Sequence, residues 1–239
     1  MTIDRFSAPY LAHEYFLARK RITDLLAAAP REWSSLPVPT CPAWSVHDLL
    51  AHVAGIASEI VGGNSPGADS QAWVDAIVDA RRGVPIEGLL EEWSTMGPVF
   101  EEMAAETRRL AVPLSYDTVV HEHDLRHAIG RPGARDTSGV MASMDVAVWL
   151  MTNDLDRRGF GSVRFRAGGR DWVCGSGDLR LELDLDAADL AVPPVWELLR
   201  LTGSRRSLAQ ASRLAWKGDF PAGLAALLHM DLPEADIDE

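Results

Sequence analysis

A change of periodicity constrains this chain more than any other feature. Up to Gly159 its apolar residues recur at helical spacing, and beyond it they alternate. The first pattern belongs to amphipathic helices and the second to half-buried strands. An α+β chain is therefore expected, with an up-and-down helical bundle over residues 1–159 and a small α/β domain over residues 160–239. With 239 residues, 47% of them hydrophobic, there is enough apolar material to bury a core.

Leu11, Tyr15, Leu17, Ile22, Leu25 and Leu26 set a first helix within 8–28. Prolines at 30, 37, 39 and 42 make the next segment irregular. Ser45 then offers an N-cap, with Asp48 three residues on where a capping-box acid belongs, and the helix it opens stops at Gly62-Gly63. Helical patterns follow over 69–82 and 86–107, the second with a kink expected at Gly97-Pro98. The next helix is expected over 113–129, with Pro113 at its first position and Gly130 just past its end, and another spans 138–157. After Gly159, strands are expected at 163–166, 172–174, 179–185 and 214–217, with helices at 193–202, near 207–213 and at 221–229.

The helix over 113–129 carries the chemistry. At 100° per residue, Asp117, His121 and Asp124 share a stripe about 60° wide, flanked by Leu114 and Leu125. Carboxylates on a buried face are costly unless paired, hydrogen-bonded or metal-bound. Asp117 and His121 are four apart, so their side chains can meet. On the helix that starts at Ser45, His52 lies on the apolar stripe of Leu49, Val53, Ile56 and Ile60. If these helices are neighbours, His52, Asp117 and His121 converge as two imidazoles and one carboxylate with a position left open. That donor set suits catalytic zinc, and iron or nickel equally well by spacing. A satisfied core histidine and a hydrogen-bonded Asp–His pair are the plainer alternatives. Asp124 is a candidate to orient a ligand or to stabilise the helix. His123 and His127 are expected to face solvent, and His13, His47 and His229 have no visible partner in the sequence.

Acidic residues outnumber basic ones 35 to 23, for a net charge of −12, which disfavours a nucleic-acid partner. Residues 231–239 read as a solvated acidic tail. Cys41 and Cys174 imply no disulfide framework, which fits a reducing cytoplasm, and Cys41 reads as a small packing residue. No secretory h-region and no membrane-spanning run is present.

Three segments resemble the mycothiol-dependent maleylpyruvate isomerase family, within the DinB-like metalloprotein superfamily. They are Cys41-Pro42-Ala43-Trp44-Ser45-Val46-His47-Asp48-Leu49-Leu50-Ala51-His52, then His121 through Pro132, then Glu197 through Ser207 followed by Trp216-Lys217-Gly218-Asp219. The resemblance implies a four-helix metal-binding bundle followed by a sterol-carrier-like domain. It implies His52 and His121 as ligands, with Asp117 standing where the family has Glu. It implies mycothiol as cosubstrate, and Arg205 or Arg206 facing an anionic substrate.

The function expected is that of a metal-dependent isomerase or transferase that activates a small-molecule thiol towards an electrophile. A non-catalytic metal or small-ligand binding protein and a metal-dependent hydrolase are the alternatives. A cytoplasmic monomer or homodimer is expected.

Overall fold

The computed structural model describes residue 4, residues 6–227 and residues 231–239; His229 therefore lies outside the described residues. The chain divides into two compact units, Met1–Gly133 and Ala134–Glu239.

The first unit holds α1 (Ala8–Leu26), a short 3-10 helix (Arg31–Ser35), α2 (Val46–Val61), α3 (Ser70–Arg81), α4 (Ile86–Glu106) and α5 (Arg108–Ala128). Helices α1, α2, α4 and α5 form the bundle, and α3 packs on α2. Leu11, Tyr15, Ile22, Leu49, Leu50, Trp93 and Phe100 fill its core. The Trp93 indole donates to the Tyr15 hydroxyl at 2.8 Å, so neither large side chain is buried at the expense of its polar atom.

α2 begins where its capping box requires. The Ser45 hydroxyl accepts from the Asp48 amide at 3.2 Å, and the Asp48 carboxylate accepts from the Ser45 amide at 3.0 Å. Ser45→Ala is expected to cost about 1 kcal/mol in chemical denaturation, the usual worth of such a cap.

α5 departs from expectation at its start. It opens at Arg108, capped by the Thr107 hydroxyl, and Pro113 lies inside it. Proline there removes the amide bond to the Arg109 carbonyl and its ring crowds that carbonyl, a cost that the packing of α5 must offset. α5 is also buried on all sides from Thr118 to Leu125. His123 is thus buried instead of facing solvent. An amphipathic reading fails for a helix packed against α1, α2 and α4 at once.

The second unit holds α6 (Ser138–Arg158), β1 (Ser162–Ala167), β2 (Arg170–Cys174), β3 (Leu179–Asp184), α7 (Pro194–Thr202), α8 (Leu208–Ser212), β4 (Trp216–Gly218) and α9 (Phe220–Leu227). The boundary expected at residue 160 thus falls at 134. α6 joins this unit because it packs on β2, α7 and α9, which bury Val140, Met144 and Met151.

The sheet runs β2-β1-β3-β4, with β1 parallel to β3 and antiparallel to β2. Val163, Phe165 and Ala167 are buried, while Arg164 and Arg166 sit beside Asp171, Glu182 and Asp184. Four residues carry the chain from β2 across the start of β1 to β3. A side chain at Gly175 would lie 2.4 Å from the Gly161 carbonyl, and one at Gly161 would lie 2.7 Å from the Asp178 carbonyl. Only paired glycines permit that crossing.

Residues 231–239 stay largely exposed, as the acidic composition suggests, but their end is tied down. Asp236 is held by Ser207 and Arg213, and the Ile237 amide donates to Gln210 at 3.1 Å. No described helix is long and apolar enough to cross a membrane.

Candidate metal centre

Three side chains from two helices of the first unit meet. His52 projects from α2; Asp117 and His121 project from successive turns of α5. The Asp117 carboxylate spans both rings, with Oδ2 3.3 Å from His52 Nε2 and Oδ1 3.3 Å from His121 Nε2. The three donor atoms lie within 4.8 Å of one another. Asp117, though one methylene shorter than a glutamate, reaches both imidazoles.

These distances are long for charge-assisted hydrogen bonds, which close to about 2.7–2.9 Å. They match the edge of a tetrahedron whose centre stands about 2.0–2.1 Å from each donor, roughly 3.3 Å. Both His52 ring nitrogens and Asp117 Oδ2 are buried without a hydrogen-bond partner among the described residues. Orphaned polar atoms of this kind are costly unless something else binds them. The donor set therefore fits a divalent ion.

The surroundings orient the ligands. Asp124 is fully buried and accepts from His121 Nδ1 at 2.9 Å, which commits that nitrogen as the protonated one and leaves Nε2 to face Asp117. Cys41 Sγ donates to the same Asp124 carboxylate at 3.9 Å. Cys41, His121 and Asp124 are also close enough to form a second donor group. Because His121 and Asp124 already satisfy each other, that trio reads as a hydrogen-bond chain.

Among the described residues, no comparable carboxylate stands behind His52. The Trp44 ring lies over it, with centroids 4.9 Å apart and planes 39° from parallel, and reaches His121 at 6.2 Å. The two imidazoles stand edge to face at 5.0 Å.

The sequence reading missed the roles of Cys41 and Trp44. Both lie on the loop that precedes α2. The bridge between Pro37 and Ser45 closes that loop, and bonds from Val38 to Trp44 and from Trp44 to Cys41 tighten it. The four prolines and the capping serine were the only local signs that this segment folds back.

Burial alone would raise the Asp117 carboxyl, but the two imidazoles outweigh it and hold Asp117 well below the usual carboxylate range. Burial likewise opposes a proton on His121, yet Asp117, Asp124 and Cys41 outweigh it and push its pKa well above the ordinary histidine value. The cluster is thus an ion pair that holds one proton where a cation could sit.

Residues 15–126 match the mycothiol maleylpyruvate isomerase N-terminal domain. The N-terminal unit is similar to that domain over most of its length. The match includes His52, Asp117, His121 and Asp124, and it covers α2 and α5 almost whole. No curated protein and no solved structure gives a match.

Arg205 and Arg206 belong to the C-terminal unit, and both are buried. Arg205 donates to the Gly203 carbonyl at 2.6 Å. Arg206 grips Glu197 through two nitrogens, at 2.7 and 2.8 Å, and reaches Glu239 at 2.7 Å. His47 does have a contact, with its Nε2 2.7 Å from the Val84 carbonyl, and His13 stacks on Phe16.

If Trp44 sets the tilt of the His52 ring, Trp44→Ala is expected to weaken divalent-metal binding several-fold while leaving the unfolding midpoint nearly unchanged. Trp44→Phe is expected to restore most of the affinity. Competition against a chromogenic chelator measures both.

Proposed function

We propose that this protein holds one divalent metal ion through His52, Asp117 and His121 and uses the site to activate a low-molecular-weight thiol for attack on a small electrophile. The observation that carries this reading is the convergence of three donor residues from two helices, with three of their polar atoms buried and unsatisfied among the described residues. Two imidazoles and one carboxylate leave a coordination position for an exogenous group, the arrangement of catalytic zinc sites. The family description supports mycothiol as the thiol.

A divalent ion bound there supplies Lewis acidity, which favours the nucleophilic thiolate at neutral pH. The chain's residues prepare for it. Asp117 contributes one negative charge and faces both rings. Asp124 fixes the tautomer of His121, and Trp44 restrains His52. Asp117 is the exposed member, with 29% of its side chain open to solvent, so the thiol reaches the site past it. The thiol adds across an activated alkene: its sulfur bonds to one carbon, the π bond breaks, and the thiol proton ends on the other carbon. In an isomerisation the sulfur–carbon bond later breaks and the thiol leaves, whereas in an S-transfer it persists.

Elemental analysis followed by thiol titration tests this. The purified wild type is expected to carry about one metal per chain and to bind thiol, and His52→Ala to do neither. Thiol binding that survives in metal-free His52→Ala would overturn the reading. Ester turnover without added thiol would point to hydrolysis at the same site.

Asp124→Asn is expected to lower metal affinity about 10–100-fold, the usual cost of losing the group that orients a ligating histidine. Isothermal titration of the metal-stripped chain measures it.

A further inference from the structure

The C-terminal unit contains a second ionic cluster that the metal reading does not use. Trp196 is buried, and three guanidiniums lie around its ring, those of Arg135 at 4.3 Å, Arg206 at 5.3 Å and Arg200 at 5.9 Å. Arg200 is wholly buried and Arg206 nearly so. Two carboxylates answer them. Glu197, on α7 like Arg200, pairs with Arg206. The other is Glu239, which comes from the segment 231–239. It takes both Arg200 Nε, at 2.8 Å, and Arg200 Nη2, and its Oε2 also meets Arg206 Nη1 at 2.7 Å.

Glu239 thus makes the fork-to-fork contact by which arginine recognises any carboxylate, with a second arginine closing on one oxygen. Only 2% of its side chain is exposed. What holds the rest of the segment is mostly polar: Asp236 on Ser207 and Arg213, and the Ile237 backbone on Gln210. Ile237 is the segment's buried apolar anchor. The Asp236 contact to Arg213 is exposed and screened by ions, so it holds the segment weakly, and a ligand that reproduces the buried Glu239 contact replaces the main hold on it.

We propose that Arg200 and Arg206 form a binding site for the carboxylate of a small molecule, and that Glu239 occupies this site in cis, so that segment 231–239 is a strap which such a ligand displaces. The strap wins at low ligand concentration because its carboxylate is tethered and so has a high effective concentration. A ligand carboxylate reproduces the same bidentate contact and needs only to exceed that concentration. The proposal does not rest on the metal reading, since every residue in it lies in the other unit.

The test compares the full-length wild type with Glu239→Ala, using sodium acetate as the probe and sodium chloride at equal ionic strength as the control. Glu239→Ala is expected to unfold at a lower temperature than wild type. Acetate is expected to restore its midpoint saturably while chloride does not. Wild type is expected to need at least about tenfold more acetate for a comparable response, as tethered competition requires. Equal responses of the variant to acetate and chloride, or equal acetate responses of variant and wild type, would overturn the proposal. Should Glu239→Ala fail to fold, Asp236→Asn loosens the strap while leaving Glu239 and both arginines in place. Acetate is then expected to speed hydrogen exchange of the amides in 231–239, and exchange rates indifferent to acetate overturn the proposal just as surely.

Discussion

His121→Ala is expected to take metal content from about one ion per chain to none that survives gel filtration. One of three donors is lost, and with it the tie between Asp124 and the site. The helices are expected to persist, because the apolar core of Leu11, Ile22, Leu49, Leu50, Trp93 and Phe100 is untouched, although Asp124 loses its imidazole partner. Far-ultraviolet circular dichroism should therefore change little while elemental analysis changes completely. Retained stoichiometric metal would show that the ion sits elsewhere.

The wild type carries a pH signature of the same site. His121 has a raised pKa in the folded chain, so binding a metal must first remove its proton. Affinity is expected to rise with pH by about tenfold per unit while His121 remains protonated, and proton release is measurable by calorimetry in buffers of different ionisation enthalpy. Without metal the sign for stability is opposite for the two partners. The raised pKa of His121 contributes stability that is present below about pH 6.5 and is lost as pH climbs through the folded value. The lowered pKa of Asp117 contributes stability that is present above about pH 4 and is lost as pH falls towards its folded value. The metal-free chain therefore loses this ion pair at both ends, and metal binding replaces it on the alkaline side.

Glu122→Ala is expected to be the most damaging single substitution for stability outside the apolar core. The Glu122 side chain is fully buried between α1 and α5, and its carboxylate accepts from Arg21 at 2.7 and 2.9 Å and from Arg126 at 3.0 Å. Removing it leaves two guanidiniums facing a cavity. Breaking a buried pair costs about 3–5 kcal/mol. The lower end applies here, because Arg21 keeps 24% of its side-chain surface exposed and can turn to water. Urea denaturation measures the loss. Glu122→Gln, which keeps the shape and part of the hydrogen bonding, should lose less. A change below 1 kcal/mol for the alanine variant would mean that the arginines find other partners.

The donor triad was legible because two independent periodicities pointed to it. Asp117 and His121 are one turn apart, and His52 falls on the apolar stripe of a helix whose start Ser45 and Asp48 announce. What could not be read were features set by tertiary closure. Cys41 and Trp44 act through a loop closed by backbone bonds that no side-chain pattern encodes. His123 was misplaced because α5 is packed on several sides, so its polar residues are buried as well as its apolar ones. The alternation of β1 to β3 was plain, but neither the crossing at Gly161 and Gly175 nor the membership of α6 follows from period alone. The acidic composition of 231–239 suggested solvation, and the arginines that neutralise it lie some thirty residues earlier in the chain.

One consequence follows from where the two compact units divide. His52, Asp117 and His121, with Asp124, Cys41 and Trp44 around them, all precede Gly133. The donors of the proposed ion site are thus encoded together as one cassette. Recombination that swaps the trailing unit for another would leave that cassette whole, which would let a lineage change what it acts on while inheriting the same donor set.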